Sequence, residues 1–193
     1  MVLFRADILR LTHKIPDTLG IKATPEVMNT PQAQKLIREI QAGNPSATLN
    51  DATRYAINYI ESGTSIPQFG IAAPGSTVVK VVPKEDTLSS TSGYWMSPQQ
   101  AQSIATMSAE QAGQVLGLPA AQAANILKNG MDFYAITPKA GVTPNVFVSN
   151  VASTTQGAVA MPGSAQQVIV PNRSLWTAPT AVNPFTLRPT GSQ

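Results

Sequence analysis

An α+β fold, with a mixed or antiparallel split β-sheet core and flanking helices, is what this sequence predicts, and three observations carry it. Helical periodicity occupies the first and middle thirds of the chain. Strand-like runs cluster late, from Met131 onward. One β-branched run, Thr77-Val78-Val79-Lys80-Val81-Val82, stands between the two helical regions. At 193 residues the chain has the length of one domain, expected to run to residue 183 with a flexible tail over 184–193.

Taken in order, residues 2–7 (Val2-Leu3-Phe4-Arg5-Ala6-Asp7) form a short apolar strand ending on charge. Arg5 and Asp7 share a face of extended chain, so the guanidinium serves either a surface ion pair or an anionic ligand. Residues 11–31 hold prolines at 16, 25 and 31 and no clean period, which reads as loop with at most one helical turn; His13 and Lys14 lie in it. In 32–41 the apolar positions Ala33, Leu36, Ile37 and Ile40 repeat at three and four, and Gly43 is the stop. Asn50 is the expected cap of a second helix with Ala52, Tyr55, Ala56, Tyr59 and Ile60 on one side, ending at Gly63. Residues 66–75 read as loop, and 77–82 as the strongest strand, closed by Pro83.

The stretch 88–98 then joins a hydroxyl run to a helix start. Ser97 followed by Pro98 is an N-cap with proline at the first helical position, where its missing N–H costs nothing. Ser108 with Gln111 three residues on makes a capping box, and Ala112, Val115 and Leu116 form a narrow apolar stripe behind it. A third helix over 119–128 stops at Asn129-Gly130. Strands are expected at 133–136, 145–148 and 166–170, a weaker one within 176–187, and a Gly/Ser/Thr-rich loop over 149–164.

Composition narrows the chemistry. Only 12% of residues are charged, so the surface must be built largely from Gln, Asn, Ser and Thr, as is common in exported proteins. A net charge of +3 permits an anionic ligand without demanding nucleic acid. The lack of cysteine excludes disulfides, thiolate metal sites and a cysteine nucleophile, and a single histidine argues against a metal cofactor. No apolar run approaches the roughly 18 residues of a membrane span, and no apolar block of a signal peptide opens the sequence. An export address would therefore lie elsewhere in a longer protein.

Leu3-Phe4-Arg5-Ala6-Asp7 at the chain's start, Ser90-Thr91-Ser92 leading to a helix with Ala101 and Ile104, and Ala165-Gln166-Gln167-Val168 after a strand and a loop stand in one order along the sequence. Together they resemble the ADP-ribosyltransferase superfamily, in its cholera-toxin-like bacterial branch. That branch places an Arg at the end of the first strand, a Ser-Thr-Ser run on a central strand and a Glu-x-Glu pair opening a later one. Here Gln167 stands where the catalytic Glu would be and Ala165 replaces the other acid; no Asp or Glu follows Asp132. An amide keeps a hydrogen bond to ribose and loses the charge, and each lost 1.4 kcal/mol of transition-state stabilisation is about tenfold in rate.

The resemblance implies a split-sheet fold and NAD as substrate, with no metal. Arg5 with Ala6 would hold the pyrophosphate or ribose side, and Ser90 would position the nicotinamide ribose and Gln167. Thr91 and Ser92 would line the cleft, and Tyr94 or Trp95 would stack on nicotinamide. It also implies a toxin effector domain delivered into a target-cell cytoplasm as part of a larger exported protein, an acceptor that is protein, RNA or water, and a cognate immunity protein. Read without it, Tyr94 and Trp95 are core aromatics and Gln167 an ordinary strand residue. A second reading is a C-terminal RNase toxin domain using His13, Lys14, Lys80, Thr154 and Arg173; a third is a noncatalytic binding module of an exported protein.

Overall fold

The computed structural model describes residues 20–89, 91–118, 120–156, 159–161 and 163–190, with the side chains of 120, 154–156 and 159–161 left aside. The expected strand at 2–7, with Arg5 and Ala6, and the His13-Lys14 pair lie outside the described residues, as does Ser90. Helix α1, Pro25–Met28, is the single turn foreseen in the proline-rich stretch, capped by Thr24. Helix α2, Pro31–Gly43, starts where Thr30 accepts from the Ala33 N–H with Pro31 behind it, and buries Ala33, Leu36, Ile37 and Ile40. Helix α3, Leu49–Glu61, buries Ala52, Ala56 and Ile60. Its cap is Thr48, not Asn50: Thr48 and Asp51 satisfy each other's backbone N–H groups, which Asn50 has no partner to do.

Strand β1, Gln68–Ile71, falls in the region expected to be loop. It is an edge strand with Phe69 and Ile71 exposed, so it lacks the alternation that marks a half-buried strand. Strand β2, Val78–Pro83, follows as expected, and Tyr94–Trp95 form the short strand β3. Ser97 and Pro98 start α4, Pro98–Ala105; Ser108 and Gln111 box the start of α5, Ala109–Val115. Helix α6, Ala120–Asn129, ends against Gly130, whose φ of 87° is the left-handed stop.

Strands β4, Met131–Ile136, and β5, Asn145–Asn150, come next. The expected loop over 149–164 holds a two-stranded ribbon, β6, Thr154–Gln156, with β7, Val159–Met161. Strand β8 is Gln166–Ile169, a 3-10 turn covers Arg173–Leu175, and of the weak 176–187 segment only Thr180–Ala181 is strand, β9. The final stretch is not a tail as far as residue 190. Val182 bridges Pro189, Asn183 and Arg188 are hydrogen-bonded at 2.9 Å, and Leu187 packs on the core, so apolar burial holds the turn down.

The fold is α+β. A four-stranded sheet runs β1-β5-β8-β3 and a three-stranded sheet β2-β4-β9; every pairing among the described strands is antiparallel. The sheets touch where Val79 and Met96 exchange both backbone hydrogen bonds, at 2.9 and 2.8 Å. Three apolar clusters then define four layers. Ala33, Leu36, Ile37, Ile40, Ala52, Ala56 and Ile60 meet Phe147 and Ile169 between α2-α3 and the four-stranded sheet. Val78, Ile136, Trp95, Val168, Val170 and Trp176 fill the space between the sheets. Val79, Phe133 and Ala135 pack against Ala101, Ile104 and Ala112 of α4 and α5 beyond the three-stranded sheet. The period of two along β8 and β2 makes this possible, since alternate residues serve different clusters.

Candidate functional site

Gln167 is the expected site residue whose surroundings are most defined. On β8 it lies opposite Ser149 of β5, on the face shared with Phe147 and Ile169, which looks toward the helices. It is 6% exposed, and its Nε2 donates to Ser62 Oγ and Ser149 Oγ, both at 2.9 Å. Ser62, the residue that ends α3, spends its own hydroxyl proton on the Tyr59 carbonyl at 2.8 Å, so toward Gln167 it can only accept. That orients the amide: the nitrogen, with both hydrogens used, faces the serines, and Oε1 has no hydrogen-bond partner among the described residues. Gly63 permits the close approach, since a Cβ there would stand 2.7 Å from Ser149 Oγ.

Tyr94 shares that face, because it pairs with Ile169, two residues along from Gln167. Its ring meets the ring of Tyr59 edge-on at 4.9 Å, and its hydroxyl reaches the Asn58 carbonyl at 3.4 Å. Gly93 leaves room for Tyr59, whose hydroxyl would collide with any Cβ at that position. Gln167, Ser62, Ser149, Tyr59 and Tyr94 thus gather under the C-terminal end of α3.

Trp95 and Ser92 stand elsewhere. Adjacent strand residues point to opposite faces, and Trp95, paired with Val168, is 2% exposed in the space between the sheets. Its indole N–H donates to the Ser92 carbonyl at 2.7 Å, so it packs as a core aromatic and presents no open face beside Gln167. Ser92 is 7% exposed and accepts at its hydroxyl from Lys80 of β2, whose ammonium also reaches the Tyr94 carbonyl at 3.1 Å. Ser92 and Thr91 precede β3 in a loop and are not on a strand; Thr91 is exposed and shares a 2.8 Å hydrogen bond with Ser89.

Arg173 lies over Trp95, its Cζ 5.0 Å from the ring centroid. Nη2 makes a long 3.4 Å contact with the Thr177 carbonyl, whereas Nε and Nη1 are buried with no partner. Burial pulls its pKa down to about 10, which still leaves it charged at neutral pH. Of the RNase set, then, Arg173 lies over Trp95, Lys80 is bonded to the Ser92 hydroxyl and the Tyr94 carbonyl, Thr154 is placed only as part of β6, and His13 and Lys14 are outside the described residues.

The structure therefore divides the expected residues: Gln167 and Tyr94 on the helix-facing side of the four-stranded sheet, Ser92 and Trp95 on the inter-sheet side, Thr91 at the surface. Ser62 and Ser149 were not named from the sequence, and Tyr59 was read only as part of the apolar side of its helix. A serine following a helix and another in a strand carry no spacing that links them to Gln167, 105 and 18 residues away. Among the described residues no three His, Asp or Glu side chains gather as metal ligands, and no helix is long and apolar enough to cross a membrane.

No family model and no curated protein matches the sequence. Among solved structures, the chain is similar to one described as Rhs1-CT in complex with cognate immunity protein RhsI1. Identity is 16%, over 64% of this chain and 83% of that one, with a TM-score of 0.42. It is also similar to Tse6 in complex with Tsi6, at 14% identity over 74% of this chain and 96% of that one, with a TM-score of 0.38.

Proposed function

We propose that this chain cleaves the bond between nicotinamide and ribose in NAD and passes ADP-ribose to a macromolecule or to water. The observation that carries the reading is the orientation of Gln167: two serine hydroxyls hold its nitrogen, leaving the amide oxygen to accept from a ligand. A ribose hydroxyl is a fitting donor. As nicotinamide departs, positive charge grows on the ribose ring, and a fixed carbonyl dipole stabilises it without the cost of reorienting. The leaving group is neutral nicotinamide, so little acid–base machinery is required, in keeping with a chain that has one histidine. Tyr94 supplies an aromatic ring on the same face. Arg5 and Ser90 are assigned to the pyrophosphate and ribose on the sequence resemblance alone.

On the same resemblance we read the chain as a toxin effector domain, delivered into a target cell as part of a larger exported protein and neutralised in its producer by an immunity protein. The test is nicotinamide release from NAD by the purified protein. Gln167→Ala is expected to lower the rate at least tenfold, about 1.4 kcal/mol in barrier, with Arg5→Ala also impaired. No release by the wild type, or full activity in Gln167→Ala with its fold confirmed by circular dichroism, overturns the reading. Cleavage of total tRNA that is lost on Lys80→Ala or Arg173→Ala and indifferent to Gln167→Ala would instead establish the RNase reading, which Arg173 over Trp95 and Lys80 on Ser92 favour.

A further inference from the structure

Strand β1 closes one side of the four-stranded sheet, and its register fixes which backbone groups face outward. The Ala72 N–H donates to the Pro144 carbonyl at 2.9 Å, in step with the pairing of Gly70 with Val146 and of Gln68 with Val148. Bonded and non-bonded positions alternate along an antiparallel pair, so Phe69 and Ile71 turn their N–H and C=O groups away from β5. Among the described residues no hydrogen bond is made at that outer edge. Open edges are ordinarily blunted by a charge, a proline or a bulge within the strand. The run Gln68-Phe69-Gly70-Ile71 has none of these, its register with β5 is unbroken, and its large apolar residues are uncovered, Phe69 39% and Ile71 63% exposed.

This edge is complementary to itself. With a second copy antiparallel to it and the two-fold axis at Gly70, Phe69 of each copy stands opposite Ile71 of the other, and both are pairs whose outward backbone groups match. Phe69 and Ile71 share one face of the strand, so each exposed ring covers the other copy's exposed isoleucine, while the two glycines meet on the axis without side chains to clash. Charge agrees with that register. Helix α2 places Lys35 Nζ 3.4 Å from the centroid of the Phe69 ring, and Glu39 Oε1 accepts from Asn145, the residue opposite Ile71. Lys35 is thus at the Phe69 end of β1 and Glu39 at the Ile71 end, and the two-fold turns each lysine toward the other copy's glutamate. Neither makes an ion pair among the described residues. An unrelated apolar strand would leave both charges uncompensated, whereas a second copy pairs them.

We propose that β1 is a homodimer interface, at which two copies join their four-stranded sheets edge to edge about Gly70 with Lys35 of each facing Glu39 of the other. Strand β5 separates β1 from β8, so self-association stands or falls apart from chemistry at Gln167. The paired edge is short, well under the roughly 800 Å² per partner of a standard interface, and a micromolar or weaker Kd is expected.

Analytical ultracentrifugation of the purified chain over a concentration series, together with cysteine cross-linking, tests this. A monomer–dimer equilibrium is expected, and Ile71→Lys, at an exposed position, should weaken it at least about tenfold. Lys35→Glu or Glu39→Lys alone should also weaken it, and the two together in one chain should restore it. The chain has no cysteine, so an introduced one reports on register alone. A Cβ at Gly70 would meet only Val146 Cγ2, at 3.6 Å, an ordinary contact. Across the axis the two position-70 Cα atoms would be about 4.5 Å apart, within disulfide reach, and mild oxidation of Gly70→Cys should link the dimer. Gln68→Cys, roughly 14 Å along the strand from its own counterpart, should not link. A wild type that stays monomeric up to about 1 mM overturns the proposal and leaves the edge to a strand of a different protein. A dimer indifferent to Ile71→Lys, or linked as readily through Gln68→Cys as through Gly70→Cys, overturns it too. A double charge variant no tighter than the single ones overturns the pairing of Lys35 with Glu39.

Discussion

A single methyl group at position 63 would be felt directly at the candidate site. Gly63 is pinned by its own backbone, donating to Ile60 at 3.1 Å and accepting from Ile21 at 3.0 Å, so it cannot retreat from Ser149. Gly63→Ala would therefore push the Ser149 hydroxyl away from Gln167, and NAD cleavage should fall with it. Ser149→Ala isolates the same hydrogen bond without a clash. It leaves one N–H of a buried amide unsatisfied, at a cost of about 1–3 kcal/mol, and urea unfolding should show that loss. If Ser149→Ala unfolds at the wild-type urea midpoint, the serine does not hold the amide. Gln167 itself could be named from its place in a sequence pattern. That its nitrogen, and not its oxygen, faces the serines depends on where Ser62 spends its proton, which no one-dimensional spacing encodes.

Among the elements, the helix starts were the most legible, because capping is chemistry between residues two or three apart. Ser97-Pro98 and Ser108 with Gln111 sit where sequence placed them. The start of α3 shifted by two because the reciprocal pair is Thr48 and Asp51. That pair makes a pH prediction. Hydrogen bonds from the Thr48 side chain and backbone hold the Asp51 carboxyl below its ordinary pKa. A carboxyl whose pKa is lower folded than unfolded contributes stability above the unfolded value and loses it as pH falls through the folded one. The melting temperature of the wild type should therefore exceed that of Asp51→Asn at neutral pH, with the gap closing as pH falls below the ordinary carboxylate range. A gap that stays constant with pH would mean that the carboxylate's charge contributes nothing at this cap. Strand β1 was illegible for the opposite reason: it is short, exposed and held by backbone pairing with β5, whose partner residues lie 74 to 80 positions further along the chain, so its side chains need not alternate.

For the molecule as a whole, stability should concentrate where helices and sheet meet. Phe147 is fully buried, packed with Ile169 under α2 and α3 and edge-on to Phe69 at 5.9 Å. Phe147→Ala removes a ring from a close-packed layer and should cost about 3–5 kcal/mol in chemical denaturation. A cost below about 1 kcal/mol would mean that this layer is not the close-packed core the burial describes. The sequence by itself determined the α+β class, most helices with their caps, the β2, β4, β5 and β8 strands and the scarcity of acid–base groups. All of these rest on interactions within a few residues or on composition. Only the tertiary structure decided that neighbours Tyr94 and Trp95 serve opposite faces, that Gln167 is anchored by Ser62 and Ser149, and that Arg173 lies over Trp95 with donors unspent. Those facts follow from which strand pairs with which, and pairing is settled by burying apolar faces of segments far apart in the chain, a choice local sequence cannot make.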